Sequence, residues 1–227
     1  MSEVPILWST EMVQAILNTT MGLEPRPVDA TYPCKAETRR VITSGREPVP
    51  SHLKVYEDQT PDGRLNYFAD WPHTHGRRRF LDPPGRAGDL LWGREKFALE
   101  AALDAVRPAS VGLAGLLLPE GGLRIWRAAD GVLRWPEGQR GRWRPGMFMP
   151  RLFCRLLHRV LTVRAEHLLD ISDEAVGREG FHADLGVPGF LAGWDRINQH
   201  RGVAFRAASN PWVWVLTLER LPLTEGA

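Results

Sequence analysis

Lysine is nearly missing from this chain of 227 residues: of its 29 basic side chains only Lys35, Lys54 and Lys96 are lysine, and the other 26 are arginine. Its cations are therefore almost all planar forks able to grip phosphate or carboxylate with two parallel hydrogen bonds. Drift towards arginine codons in a GC-rich genome would give the same ratio, so the count alone assigns no partner. Cysteine is equally sparse. Cys34 and Cys154 lie far apart and make neither a disulfide framework nor a metal-ligand spacing, which is the usage of a reducing, cytoplasmic compartment. Long apolar runs are absent as well. The longest, from Val111 to Leu118, falls well short of the roughly 20 residues a bilayer requires. No basic segment followed by an apolar core opens the chain, so neither a membrane span nor a signal peptide is expected. His73 and His75 lack a third ligand nearby, and Arg77, Arg78 and Arg79 beside them repel a cation, so no metal and no cofactor is expected.

What is present is an ordinary globular composition, 43% hydrophobic and 25% charged, with 27 acids leaving a formal charge of only +2. Val4 to Trp8 reads as a short buried strand, and Ser9 or Thr10 as the cap of a helix with Met12, Val13, Ile16 and Leu17 on one face. Residues 44–86 are rich in Pro, Gly, His and Arg with little periodicity, an irregular excursion ending in the basic tip Arg77 to Phe80. Residues 88–99 read as a strand after a Gly88–Asp89 turn, and 101–146 as a second excursion. The β-branched core of residues 155–167 favours strand, after a turn at Met149 to Cys154. Asp170 to Gly180 reads as a short helix capped by Ser172 with Asp173 and Glu174 in its first turn, where the helix dipole favours negative charge. A further helix runs from Pro188 to Gln199. The closing segment from Asn210 is apolar on both faces, as a central buried strand requires. Together these elements predict a single α+β domain over 1–227, built on a mostly antiparallel curved sheet.

Six segments in fixed order carry a family resemblance: ILWSTEMVQAIL, CKAETRRVI at 34–42, GDLLWGREKFA at 88–98, MPRLFCR at 149–155, DISDEAVGREGF at 170–181 and NPWVWVLTLERL at 210–221. The chain resembles the ASCH domain family of the PUA-like superfamily, in the version common in prophages. The resemblance covers about half of the chain and leaves the segments 44–86 and 101–146 outside it as insertions. It implies a small curved antiparallel β-barrel with flanking helices, and a role in handling RNA or modified bases. One bacterial branch deacetylates N4-acetylcytidine with a Lys and a Thr in a K-x-x-T pattern and a Glu from a later helix; Lys35, Thr38 and Glu179 occupy the matching positions here, without metal. Metal-independent ribonuclease activity is also known in the family.

The chemistry such a set requires is definite. Lys35 and Thr38 share one side of a helical turn but opposite faces of a strand, so the catalytic reading needs a turn here. A Thr hydroxyl attacks only after a base removes its proton, and a Lys serves as that base only when neighbouring cations such as Arg39 and Arg40, or burial, lower its pKa. Glu179 would then protonate the leaving amine. Arg39 and Arg40 either contact an anionic ligand or pair with Glu95 or Glu179. Trp92, Arg94 and Glu95 lie on the strand that lines the pocket of PUA-like folds, where an aromatic can stack on a base and polar groups read its edge; for Trp92, core packing is the favoured alternative. Arg151 and Arg155 complete the candidate ligand contacts.

Charge is unevenly distributed. From Arg124 to Arg164 there are ten Arg against Asp130 and Glu137, and Trp126, Trp135 and Trp143 lie among them, the combination of a single-strand stacking surface. From 165 to 195 seven acids face one Arg. The expected partner is RNA, another single-stranded nucleic acid or a modified nucleoside. Four readings of the role stand side by side: amidohydrolase, non-catalytic reader, ribonuclease, and a phage regulatory or assembly protein with an inert pocket.

Overall fold

A computed structural model describes residues 2–17, 36–44, 46–61, 65–70, 78–111, 125–130, 139–181 and 185–222. In chain order the strands are β1 (Glu3–Leu7), β2 (Glu37–Val41), β3 (Thr43–Ser44), β4 (Glu47–Pro48), β5 (Val55–Gln59), β6 (Leu65–Asp70), β7 (Arg78–Leu81), β8 (Leu90–Arg94), β9 (Phe97–Ala98), β10 (Trp126–Arg127), β11 (Leu157–His167) and β12 (Trp212–Leu221). The helices are α1 (Thr10–Leu17), α2 (Asp173–Arg178) and α3 (Gly186–Asn198), joined by several short 3-10 turns. The class is α+β. Among the described residues no sheet closes into a barrel, and no helix is long and apolar enough to cross a membrane. The chain divides into two compact units, one from residues 1–24, 89–159 and 220–227, the other from 25–88 and 160–219.

In the first unit β8 is the central strand. It pairs in parallel with β1, Ile6 opposite Gly93, and antiparallel with the start of β11, Leu157 opposite Trp92. β1 is mostly exposed apart from Ile6, not buried as its apolar composition predicts, because β8 covers it from one side only. Gly93 is a packing requirement: a Cβ there would stand 2.8 Å from both Leu156 and Trp8. Helix α1 starts at Ser9, whose hydroxyl accepts from the Met12 amide at 3.3 Å and satisfies one of the free donors of the first turn. Val13 and Ile16 are its buried face. Beyond β8, Phe97, Leu99, Leu103, Val111, Met149 and Phe153 form one apolar cluster, with the Phe97 and Phe153 rings edge to face at 5.9 Å.

In the second unit β12 lies between β11 and β2, and Val213 through Leu216 are all buried, as a strand with two apolar faces demands. Against it pack α2 and α3 through Val176, Phe190 and Trp194, with Phe205 of the 3-10 turn Val203–Phe205 in the same cluster. Ser172 caps α2 by accepting from the Ala175 amide at 3.2 Å, with Asp173 and Glu174 in the first turn. The segment 44–86, expected to be irregular, carries the β3–β4 hairpin and an antiparallel meander, β5–β6–β7. β5 reads VYEDQ and offers little apolar alternation of its own; its stability comes from pairing with β6. The meander is anchored by Tyr67, whose ring meets Trp214 edge-on at 4.6 Å and whose hydroxyl donates to the Val163 carbonyl at 2.8 Å.

The Tyr67 phenol is pushed up to about 12 by burial first and by the charge of Glu57 second, with Arg86 opposing. An unfolded tyrosine titrates near about 10, so between about pH 10 and 12 the unfolded chain loses a proton that the native one keeps. The contribution of Tyr67 is therefore intact below about pH 10 and falls as pH rises to about 12. Urea midpoints of the native chain and Tyr67→Phe should converge across that window. A difference that stays constant with pH would contradict the assignment.

Candidate nucleic-acid interface

The first unit's site lies at the end of β8: Glu95, which follows the strand, is buried, and Arg94, its last residue, is half-buried over Trp92. The Glu95 carboxylate is fully buried, held by two hydrogen bonds from Arg155 and by an ion pair with Arg127. Arg155 grips it with Nε at 2.7 Å and Nη2 at 2.8 Å, and Arg127 Nε stands at 3.2 Å. Arg155 also pairs with Asp130. Burial pulls the Arg155 guanidinium down, but its bonds to Glu95 and Asp130 outweigh that and leave it raised; Arg127, with burial and then the charge of Arg155 against it, is lowered. The Glu95 amide points at Met149 Sδ at 3.4 Å. Gly146 lies so close that a Cβ would meet the Glu95 backbone at 3.0 Å. The segment 146–149 is thereby held against the strand end.

Above this clamp opens a pocket of about 750 Å³, lined by Arg94, residues 105–109 and 142–145, and Met147 to Pro150. Its described lining holds four arginines and no carboxylate. Two of the four build the wall. Arg144 is almost fully buried and donates to the Leu103, Asp104 and Val106 carbonyls, while Arg142 is tied to Asp104 through its own amide and through Nη2. The other two have donors to spare. Arg107 is exposed, and its backbone carbonyl accepts from the Ser110 amide at 2.9 Å. Arg94 lies over the Trp92 ring at 4.6 Å and donates one Nη1 bond to the Met147 carbonyl at 3.3 Å, yet its buried Nε has no partner among the described residues. Aromatic surface is offered beside these cations: Trp143 is 37% exposed and Phe148 58%. Arg140 lies 4.7 Å and Lys96 5.7 Å from the Trp143 ring centre.

In the second unit the K-x-x-T region meets a different environment. Lys35 lies outside the described residues. Thr38 stands on β2 opposite Leu216, on a strand and not on the turn that the spacing requires, because β2 pairs with β12 from Glu37 to Val41. Its hydroxyl is 0% exposed and makes no hydrogen bond among the described residues. The Arg39 guanidinium, 1% exposed, donates to Glu166 at 3.0 and 2.8 Å and to Glu179 at 3.1 Å, and lies 3.3 Å from Glu37. Arg178 and Arg164 complete the network on Glu37, Glu166 and Glu174. Arg40 is half-buried, and its guanidinium is lowered by burial, with Glu179 raising it and Arg201 lowering it further.

The predicted site residues thus fall into separate sets. Arg39 and Glu179 touch in one unit; Glu95 and Arg155 pair in the other, where Trp92 and Arg94 stack. Arg151 pairs with Glu3 at 2.9 Å at the surface. Trp92 is buried, Trp126 is buried, and Trp135 lies outside the described residues. Arg107, Met147 and Phe148 were not singled out by sequence; no periodicity marks them, since 3-10 turns bring them to the pocket. No protein-family model matches the chain, and neither a curated protein nor a solved structure does.

Breaking a buried ion pair leaves charges without compensation, whereas exposed pairs contribute little. Glu95→Ala should cost about 3 kcal/mol or more in urea denaturation, and Glu3→Ala, which frees only the surface Arg151, under about 1 kcal/mol. Equal effects of the two changes would show that Glu95 is not a structural anchor.

Proposed function

We propose that this protein binds single-stranded nucleic acid, or a modified nucleotide within it, without catalysis, and that the pocket over Glu95 is its reading site. The observation that carries this is the pocket's lining: exposed aromatic rings beside arginines, with no carboxylate in the described lining. A base has a π-face for Trp143 or Phe148, its phosphate an anion for Arg107, and its edge acceptors for Arg94. The volume falls in the range of small-ligand sites. The resemblance to the ASCH family supports the same partner class, and a PUA-like barrel is the finer form of the α+β fold that goes with it.

Hydrolysis of an N4-acylated cytosine has less support than binding. It draws on Lys35, Thr38 and Glu179, and Thr38 offers its hydroxyl to no solute while Glu179 accepts a bond from the buried Arg39. Ribonuclease chemistry has no general acid or base in the described pocket lining to draw on.

Fluorescence anisotropy with a labelled oligouridine tests the binding. Trp143→Ala should weaken affinity roughly 5- to 150-fold, the range that follows from about 1–3 kcal/mol per stacked base. Affinity should also fall steeply between about 50 and 200 mM salt. Affinity unchanged by Trp143→Ala would remove the pocket from the interaction. The chain should release no acetate from N4-acetylcytidine; release that Thr38→Val abolishes would restore the hydrolytic reading in place of this one.

A further inference from the structure

Every strongly hydrogen-bonding side chain in the described lining of the pocket is a donor. Arg94, Arg107, Arg142, Arg144 and Trp143 carry N–H groups alone, and the remaining side chains of that lining are Ala, Val, Pro, Phe and Met. On the reading that a base enters this pocket, we propose that the site selects oxo bases, guanine before uracil, over the amino bases adenine and cytosine. Arg94 is the residue that sets the choice.

The choice follows from what each base presents. Guanine O6 and uracil O4 stand where adenine and cytosine carry an amino group, N6 or N4. An amino group that enters the pocket gives up its water partners and needs an acceptor in exchange. The acceptors around the pocket are already engaged. Asp104, which adjoins the wall at Ala105, takes the Arg142 amide on both carboxylate oxygens at 3.0 Å. The Val106 carbonyl accepts from Arg144, that of Arg107 from the Ser110 amide, that of Pro145 from the Phe148 amide and that of Met147 from Arg94. Met149 Sδ, a weak acceptor, faces the Glu95 amide at 3.4 Å.

An oxo group asks instead for the donors that line the pocket, and Arg94 is held ready to supply them. Its guanidinium lies over the Trp92 ring at 4.6 Å and donates from Nη1 to the Met147 carbonyl at 3.3 Å. These two contacts orient the planar fork before a ligand arrives, and an oriented fork matches a pair of acceptors. Guanine presents such a pair, O6 and N7, on one edge, whereas uracil O4 has the N3 donor beside it; guanine therefore ranks first. Its larger ring also covers more of Trp143 or Phe148, both partly exposed. Phosphate contacts alone, through Arg107, would treat the four bases alike.

The test uses the full chain, anisotropy and short labelled oligonucleotides that are abasic except for one central ribonucleotide, so that phosphate contacts are equal throughout. Guanine should bind roughly 5- to 150-fold tighter than adenine, the discrimination of a good bidentate pair, and uracil tighter than cytosine. Hypoxanthine, which keeps O6 and N7, should match guanine, and 7-deazaguanine, which lacks N7, should bind more weakly. Arg94→Gln should move the preference from guanine to adenine, because a glutamine amide donates to N7 and accepts from N6. Damage to the fold lowers affinity for every base and does not exchange one preference for another; with a variant that fails to fold, the base analogues on the native chain decide alone. Equal affinity for the four bases, or a native preference for adenine or cytosine, overturns the proposal, while Trp143→Ala still reads the pocket independently. Binding of oligouridine but of none of the single-base oligonucleotides overturns it too. No binding of oligouridine removes both the reading of the pocket and this selectivity.

Discussion

The buried carboxylate of Glu95 is the constraint on which the first unit's site depends. A carboxylate taken out of water is tolerable only when donors and opposite charge surround it; Arg155 supplies two hydrogen bonds and Arg127 a second positive charge at 3.2 Å. Arg94, the residue before Glu95, is half-buried and lies over the Trp92 ring. The clamp also needs Gly146 at the Glu95 backbone and Met149 at its amide, which brings the 146–149 turn to the strand end and makes that turn one wall of the pocket. Structural charge is thus concentrated beneath the pocket, and the donors left over lie in its lining.

The abundance of arginine divides the same way in both units. Arg39, Arg144, Arg155 and Arg178 are consumed by carboxylates or backbone carbonyls, the bidentate geometry for which arginine suits better than lysine. The acid-rich stretch after residue 165 is likewise not a free negative surface, since Glu166, Glu174 and Glu179 each hold an arginine. What distinguishes Arg107 and Arg94 is that donors remain to them after the fold has been served.

Local signals in the sequence identified the elements whose causes are local. Ser172 and Ser9 cap the helices they precede, and the two apolar faces of residues 212–218 mark a central strand. The meander was not legible, because β5 is polar and its partners lie on β6, where pairing and not periodicity makes the strand. The same holds for Thr38: three-residue spacing suggests a turn, while register with β12 extends the chain. At the site, Trp143 stands out by its arginine-rich surroundings and Arg94 through the family resemblance, but the Glu95–Arg155 clamp joins residues 60 positions apart, and nothing in either segment announces the other. Arg107 and Phe148 reach the pocket through irregular turns that leave no pattern to read.

The central claim is that the pocket above Glu95 is where nucleic acid touches this protein. Ultraviolet cross-linking of the full chain to a 4-thiouridine oligonucleotide, followed by mass spectrometry of the joined peptides, tests it most directly. Cross-links should map to the segment from Arg140 to Met149, with Trp143 and Phe148 the principal attachment points. Cross-links confined to peptides outside the pocket lining would contradict it.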